Sequence, residues 1–182
     1  MKIVTALKRA TLVVGLAVTW LACAPGPAFA QAAAPGQAKA VSGLGYGFFG
    51  IGAATCCGES TGTFHVGGGG EAVLRDAFGI GAEIGYIAPW EESSDGVGAM
   101  SINGTFHFFP NQPSRKARPF LTGGYTLGFD EGVTENLFNV GGGVDYWMTP
   151  KVGLRIELRD HVWSEGGDTM QFWGVRFGVT IR

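Results

Sequence analysis

The sequence lacks most features that mark a soluble enzyme or a helical membrane protein. After residue 30 no apolar run reaches the ~20 residues that a membrane helix needs. No later segment combines helical periodicity with capping residues. Cysteine is scarce, with three in 182 residues, and Cys56 and Cys57 are adjacent. Adjacent cysteines rarely bridge to each other, and no spaced partners exist. The chain therefore reads as neither a disulfide scaffold nor a zinc site. Intermolecular bridges, free thiols and modified thiols all stay open for this pair. Basic residues form no patch that would mark nucleic-acid binding.

The first 30 residues have a composition of their own. Lys2, Lys8 and Arg9 precede an apolar stretch from Ala10 to Ala24, which Pro25 and Pro27 end. Ala28-Phe29-Ala30 before Gln31 has the small-x-small form of a cleavage site. This three-part order predicts a cleaved secretory signal peptide. Trp20, three residues before Cys23, argues against lipidation at that cysteine. Removing residues 1–30 leaves 152 of the 182 residues. It takes three of the 13 basic residues and none of the 15 acids, so the formal charge falls from −2 to −5. Residues 31–42, rich in Ala, Gln, Gly and Pro, read as a flexible lead-in.

What remains is glycine and alternation. Glycine supplies 32 of the 182 residues. Period-two patterning recurs, as half-buried strands require. Val152, Leu154, Ile156 and Leu158 alternate with Gly153, Arg155, Glu157 and Arg159. Trp173, Val175, Phe177, Val179 and Ile181 alternate with Gly174, Arg176, Gly178, Thr180 and Arg182. A parity that mixes glycine with charges of both signs suits the inside of a narrow barrel. Eight such segments are expected, over 43–53, 63–74, 79–90, 97–109, 118–129, 136–148, 151–163 and 170–182. Each approximates the ~9–11 residues of a tilted membrane strand.

The connections sort by charge. Those after odd-numbered strands carry Glu59, Glu91, Glu92, Asp95, Asp130, Glu131, Glu135, Glu165 and Asp168, with no Lys or Arg. The opposite set and its flanking strand ends carry Arg75, Arg115, Lys116, Arg118, Lys151 and Arg182 against one acid, Asp76. Surfaces normally intersperse the two signs, so the sorting supports the strand count. Aromatic residues fall in two bands, Trp90, Phe129, Trp163 and Phe172 near the acidic loops, and Phe78, Phe108, Phe109, Phe120, Tyr146 and Trp147 near the basic turns. Such bands flank the apolar belt of a lipid-embedded barrel. The predicted fold class is all-β: an eight-stranded antiparallel up-and-down transmembrane β-barrel over 43–182, with both ends on the periplasmic side of the outer membrane. A soluble barrel would instead turn the Val152/Leu154/Ile156/Leu158 face inward.

Three segments resemble a known group. Arg118-Pro119-Phe120-Leu121-Thr122-Gly123-Gly124, Gly141-Gly142-Gly143-Val144-Asp145-Tyr146 and Leu154-Arg155-Ile156-Glu157-Leu158-Arg159-Asp160 are similar to strands of the OmpA-type barrel superfamily of small outer-membrane proteins. The resemblance covers nearly all of 43–182. It implies outer-membrane lipid and lipopolysaccharide as surroundings, and the barrel-assembly machinery as a partner in biogenesis. Two departures stand out. Such barrels usually end on an aromatic residue, whereas this chain ends Thr180-Ile181-Arg182. No tethering domain follows the barrel, so a peptidoglycan-binding role is not expected.

Other motifs weaken on inspection. Gly45-Tyr46-Gly47-Phe48-Phe49-Gly50 spells a dinucleotide fingerprint but opens a strand with no helix after it. Gly67 to Gly70 lack the Lys-Ser/Thr of a phosphate loop. His65, His161, Ser164 and Glu165 are placed near the acidic rim, where some eight-stranded barrels carry lipid A enzymes. Strand parity puts His161 and Ser164 on opposite faces, which argues against a nucleophile–base pair. No catalytic residue, cofactor or metal is expected.

Parity also sends Glu71, Glu83, Asp145 and Glu157 inward with Arg155, Arg159 and Arg176. Unpaired charges in a poorly hydrated interior are costly, so a connected network is expected. Its leading reading is a plug in a monomeric envelope or surface-contact protein. The alternatives are a narrow ion or water pore and a lipid A-modifying enzyme at the rim. An eight-stranded barrel excludes a porin-sized channel. The nine rim acids could also bridge to lipopolysaccharide phosphates through divalent cations.

Overall fold

The computed structural model describes residues 41–75, 77–109, 115–130, 132–165 and 168–182. The expected signal peptide, most of the lead-in, Asp76 and Glu131 lie outside the described residues. Eight strands form: β1 (Val41–Cys56), β2 (Glu59–Leu74), β3 (Phe78–Pro89), β4 (Val97–His107), β5 (Ala117–Asp130), β6 (Val133–Trp147), β7 (Val152–Glu165) and β8 (Asp168–Ile181). Each pairs antiparallel with its sequence neighbours, and β8 closes on β1. Closure removes the two free edges that an open sheet would expose.

Strand count and order match the sequence expectation, and the boundaries differ mainly at the acidic end. β1 begins at Val41, two residues before its expected start. At the acidic end β1, β2, β6, β7 and β8 run past their expected limits. Cys56 pairs with Glu59 and Asp130 with Val133, leaving two-residue turns where longer loops were expected. Polar strand extensions carry no apolar marker, so their sequence resembles loop. Cys57 at φ 58 and Gly58 at φ 85 complete the first turn, as a two-residue hairpin with primed geometry requires.

The turn brings the sulfurs of Cys56 and Cys57 beside each other, although the two are adjacent in sequence. An extended strand would aim neighbouring side chains at opposite faces. The hairpin reversal at Cys57 removes that constraint.

At the other end the connections are a tight reversal at Arg75, residues 108–116 and the Thr149-Pro150 turn. Thr149 Oγ1 accepts from the Val152 backbone N–H at 2.9 Å and holds the third of these.

The outward face is apolar. Ile80, Ile84, Ile102, Phe138 and Val140 are each 60 % or more exposed, the reverse of a water-soluble core. Leu154, Ile156 and Leu158 belong to this face, which rules out the soluble barrel. Asp160 interrupts the outward series of β7. Phe120 and Trp147, expected in the aromatic band, are buried inside instead. Both have the inward parity of their strands, which nearness to a turn does not override.

Candidate functional site

The site is the lumen, and strand parity builds it. Inward positions on β2, β3 and β6 include many glycines, while β1, β5, β7 and β8 carry most of the long side chains. Several of these glycines face a long side chain. A Cβ at Gly69 would approach Tyr46 Oη to 2.9 Å, and one at Gly85 would approach His65 Nε2 to 2.6 Å. A Cβ at Gly79 would collide with the Glu71 carboxylate. Glycine therefore supplies the space in which buried polar chains lie.

At the basic end of the lumen Leu44, Val73 and Trp147 pack together, with Tyr46 against them. Arg182 lies over the Trp147 ring at 4.0 Å. Beyond this cluster Glu71 Oε1 meets His107 Nε2 at 2.7 Å. Asp145 lies opposite Arg118 across the β5–β6 ladder. Its Oδ1 is 3.5 Å from Arg155 Nη1. The Arg155 guanidinium lies over the rings of Tyr46 and Phe120, at 4.5 and 3.9 Å.

Glu157 is the hub. It accepts from Arg155 Nε at 3.1 Å, pairs with Arg159 and lies 3.8 Å from Arg176 Nη1. Arg176 Nη2 reaches Glu83 Oε2 at 2.7 Å, and Tyr46 Oη donates to the same oxygen at 3.0 Å. Arg159 Nη1 donates to Asn139 Oδ1 at 2.5 Å. Asn139 Nδ2 then donates to Asn103 and Thr126, each at 2.9 Å. Thr126 Oγ1 is 2.8 Å from Ser101 Oγ. A chain of polar contacts thus crosses the lumen from β8 to β4.

The structure places all seven residues of the expected network inside the barrel. It joins Arg155, Arg159, Arg176, Glu83, Glu157 and Asp145 directly, and it gives Glu71 a separate partner in His107. Sequence reasoning missed His107, Arg118, Asn103 and Asn139. Their signal was available, because each has the inward parity of its strand. The sequence places Arg118 at the basic rim, yet it is buried. With it the lumen holds, among the described residues, four buried arginines and four buried carboxylates.

The rim expectations need correction. His65 faces the lumen and His161 is buried in it, 1 % exposed, because the strands extend beyond them. Their rings lie 5.6 Å apart. Ser164 is exposed on the opposite parity of β7. The rim acids lie on strand extensions as well as in loops: Glu59 on β2, Asp130 on β5, Glu135 on β6, with Glu91, Glu92 and Asp95 between β3 and β4. Glu135 accepts from Trp163 Nε1 at 2.8 Å. The side chains of Glu165 and Asp168 lie outside the described residues. Among the described residues no three His, Cys, Asp or Glu side chains converge as a metal site.

No protein-family model and no curated protein sequence matches the chain. Solved structures do. Neisserial surface protein A superposes with a TM-score of 0.58 at 14 % identity, over 78 % of this chain and 97 % of its own. The N-terminal β-barrel domain of Pseudomonas aeruginosa OprF gives 0.50 at 18 % identity, over 75 % of this chain and 96 % of its own. At such identity the likeness concerns architecture alone: this chain has the fold of the small eight-stranded outer-membrane β-barrels.

Proposed function

We propose that this chain is an integral outer-membrane protein of the envelope or its surface, with a lumen plugged by its own charge pairs. The observation that carries this reading is the inversion of its two faces. Isoleucine and phenylalanine cover the outside while arginine and glutamate are buried. A contiguous apolar surface of this kind needs a partner, and a bilayer is the partner that surrounds a barrel on every side. Several strands exceed the ~9–11 residues needed to span, so the acidic end would project beyond the lipid. There the rim acids would meet lipopolysaccharide phosphates through diffuse divalent cations. Both ends of the barrel, at Val41 and Ile181 beside the basic turns, would then lie on the periplasmic side.

The test is fractionation with heat-modifiable gel migration. A membrane barrel is expected in the outer-membrane fraction, migrating differently before and after boiling. Recovery from the soluble periplasm with no mobility shift would overturn the proposal.

A narrow pore is the second reading, favoured by the continuity of the polar contacts. Single Glu83→Ala and Arg176→Ala variants in planar bilayers separate the two. If the pairs form a plug, either substitution raises conductance or lowers the temperature at which the folded band disappears. Unchanged conductance and unchanged heat resistance in both variants would remove the network as a plug.

A further inference from the structure

One sector of the basic end differs from the rest of that rim. Phe78 on β3 pairs with Phe106 on β4, and Phe106 pairs with Leu121 on β5. All three have the outward parity and are exposed. The Phe78 and Phe106 rings lie 5.2 Å apart, and Phe108, also exposed, meets the edge of Phe106 at 5.3 Å. Three rings therefore stand together on the lipid side where β3 and β4 end. Across the barrel the same ends of β6, β7, β8 and β1 present Val41, Leu154 and Ile181, with Tyr146 as the only exposed ring among the described residues.

The charge of this sector has one sign. Arg115 and Lys116 stand just before β5, and both are exposed. The Arg115 guanidinium lies over the Phe109 ring at 4.1 Å, a contact that holds the long side chain beside the aromatic group. Among the described residues no carboxylate pairs with Arg115 or Lys116. The sequence contains no Asp or Glu from Val97 to Phe129, so both β4 and β5 and their connection lack a compensating acid. Elsewhere on the rim the cations are offset or engaged. Asp76, outside the described residues, directly follows Arg75 in sequence. Arg182 donates to the Pro150 carbonyl at 2.8 Å.

We propose that this sector binds an anionic glycerophospholipid of the inner leaflet, with acyl chains against Phe106, Phe108 and Leu121 and the headgroup phosphate at Arg115 and Lys116. The proposal rests on the membrane reading above, which turns the basic end toward the periplasmic leaflet. Rings at the edge of the apolar belt sit where hydrocarbon meets headgroup. Guanidinium and ammonium groups just beyond them stand at the height of the phosphates. Charge selects the lipid class. A zwitterionic headgroup brings its own ammonium and leaves two cations uncompensated, whereas an anionic headgroup adds net negative charge where the protein has none.

The experiment inserts the full barrel into nanodiscs of phosphatidylcholine, and of phosphatidylcholine mixed equally with phosphatidylglycerol. Heat-modifiable migration is read in both. Lipids that stay bound after detergent extraction from the mixed discs are counted by native mass spectrometry. Each cation near an anionic surface contributes about fivefold, so phosphatidylglycerol should be retained about twentyfold over phosphatidylcholine. High salt should remove the preference by screening. Arg115→Gln with Lys116→Gln should bring retention of the two lipids close to equal. Arg75→Gln with Lys151→Gln removes the same charge elsewhere on the rim and should leave the preference standing. Equal retention by the unaltered barrel, a preference that persists in high salt, or equal loss in the two double variants would each overturn the proposal. Insertion into both discs without a preference defeats this site alone. Failure to insert into either disc defeats the membrane reading and the site with it.

Discussion

Leu154, Ile156 and Leu158 point out of β7, and Arg155, Glu157 and Arg159 point in. Neighbouring residues on one strand thus meet two opposite environments. On the outward side the side chains make few specific contacts and stand 43 to 57 % exposed. On the inward side each is nearly fully buried and tied to named partners. The outward face asks for apolarity and tolerates many residues that supply it. The inward face asks for charge balance and shape together, so a change at one position is felt at several.

The largest effect should come from removing the hub. Glu157→Ala leaves Arg155, Arg159 and Arg176 to share less negative charge in a dry interior. Breaking a buried pair costs about 3–5 kcal/mol. Urea titration of the unheated gel form should register that loss, and Glu157→Gln should recover part of it by keeping the shape. A cost below about 1 kcal/mol would show that the lumen is hydrated enough to solvate arginine, and the contrast between the faces would weaken.

The outward counterpart is Ile156→Arg. A cation on the lipid side near mid-bilayer costs about 2–4 kcal/mol. The same titration checks it, in lipid vesicles rather than micelles. Equal stability of this variant in vesicles would mean that the face is not embedded.

A smaller effect is expected from Gly79→Ala. The added methyl must displace the Glu71 carboxylate, and overpacking of this kind costs about 1–3 kcal/mol. Gly104 lies on the outward face, where a Cβ would meet nothing closer than 3.9 Å. Gly104→Ala is its control, and measured beside Gly79→Ala it should leave the unfolding midpoint unchanged.

Much of this arrangement was legible beforehand. The alternation in β7 and β8 assigns Arg155, Glu157, Arg159 and Arg176 to one face and the aliphatics to the other. The opposite charges of the two connection sets support the count of eight. The ends of the strands were less legible. Glu59, Asp130 and Glu135 have loop-like composition but continue hydrogen-bonded ladders beyond the apolar belt. For the same reason the sequence places His65 and His161 at a rim rather than in the lumen. Arg118, beside a basic turn, was read by its neighbours in sequence rather than by its parity.

By itself the sequence determined which side chains share a face, because side-chain direction alternates on a strand whatever the strand pairs with. It thereby set the number of strands and the inversion of polar and apolar faces. Tertiary structure alone decided who meets whom inside. Glu83 on β3 reaches Arg176 on β8, and Glu71 on β2 finds His107 on β4. Such contacts depend on the stagger with which the sheet closes and on the length of chains spanning a narrow lumen. Neither quantity is encoded by any local pattern.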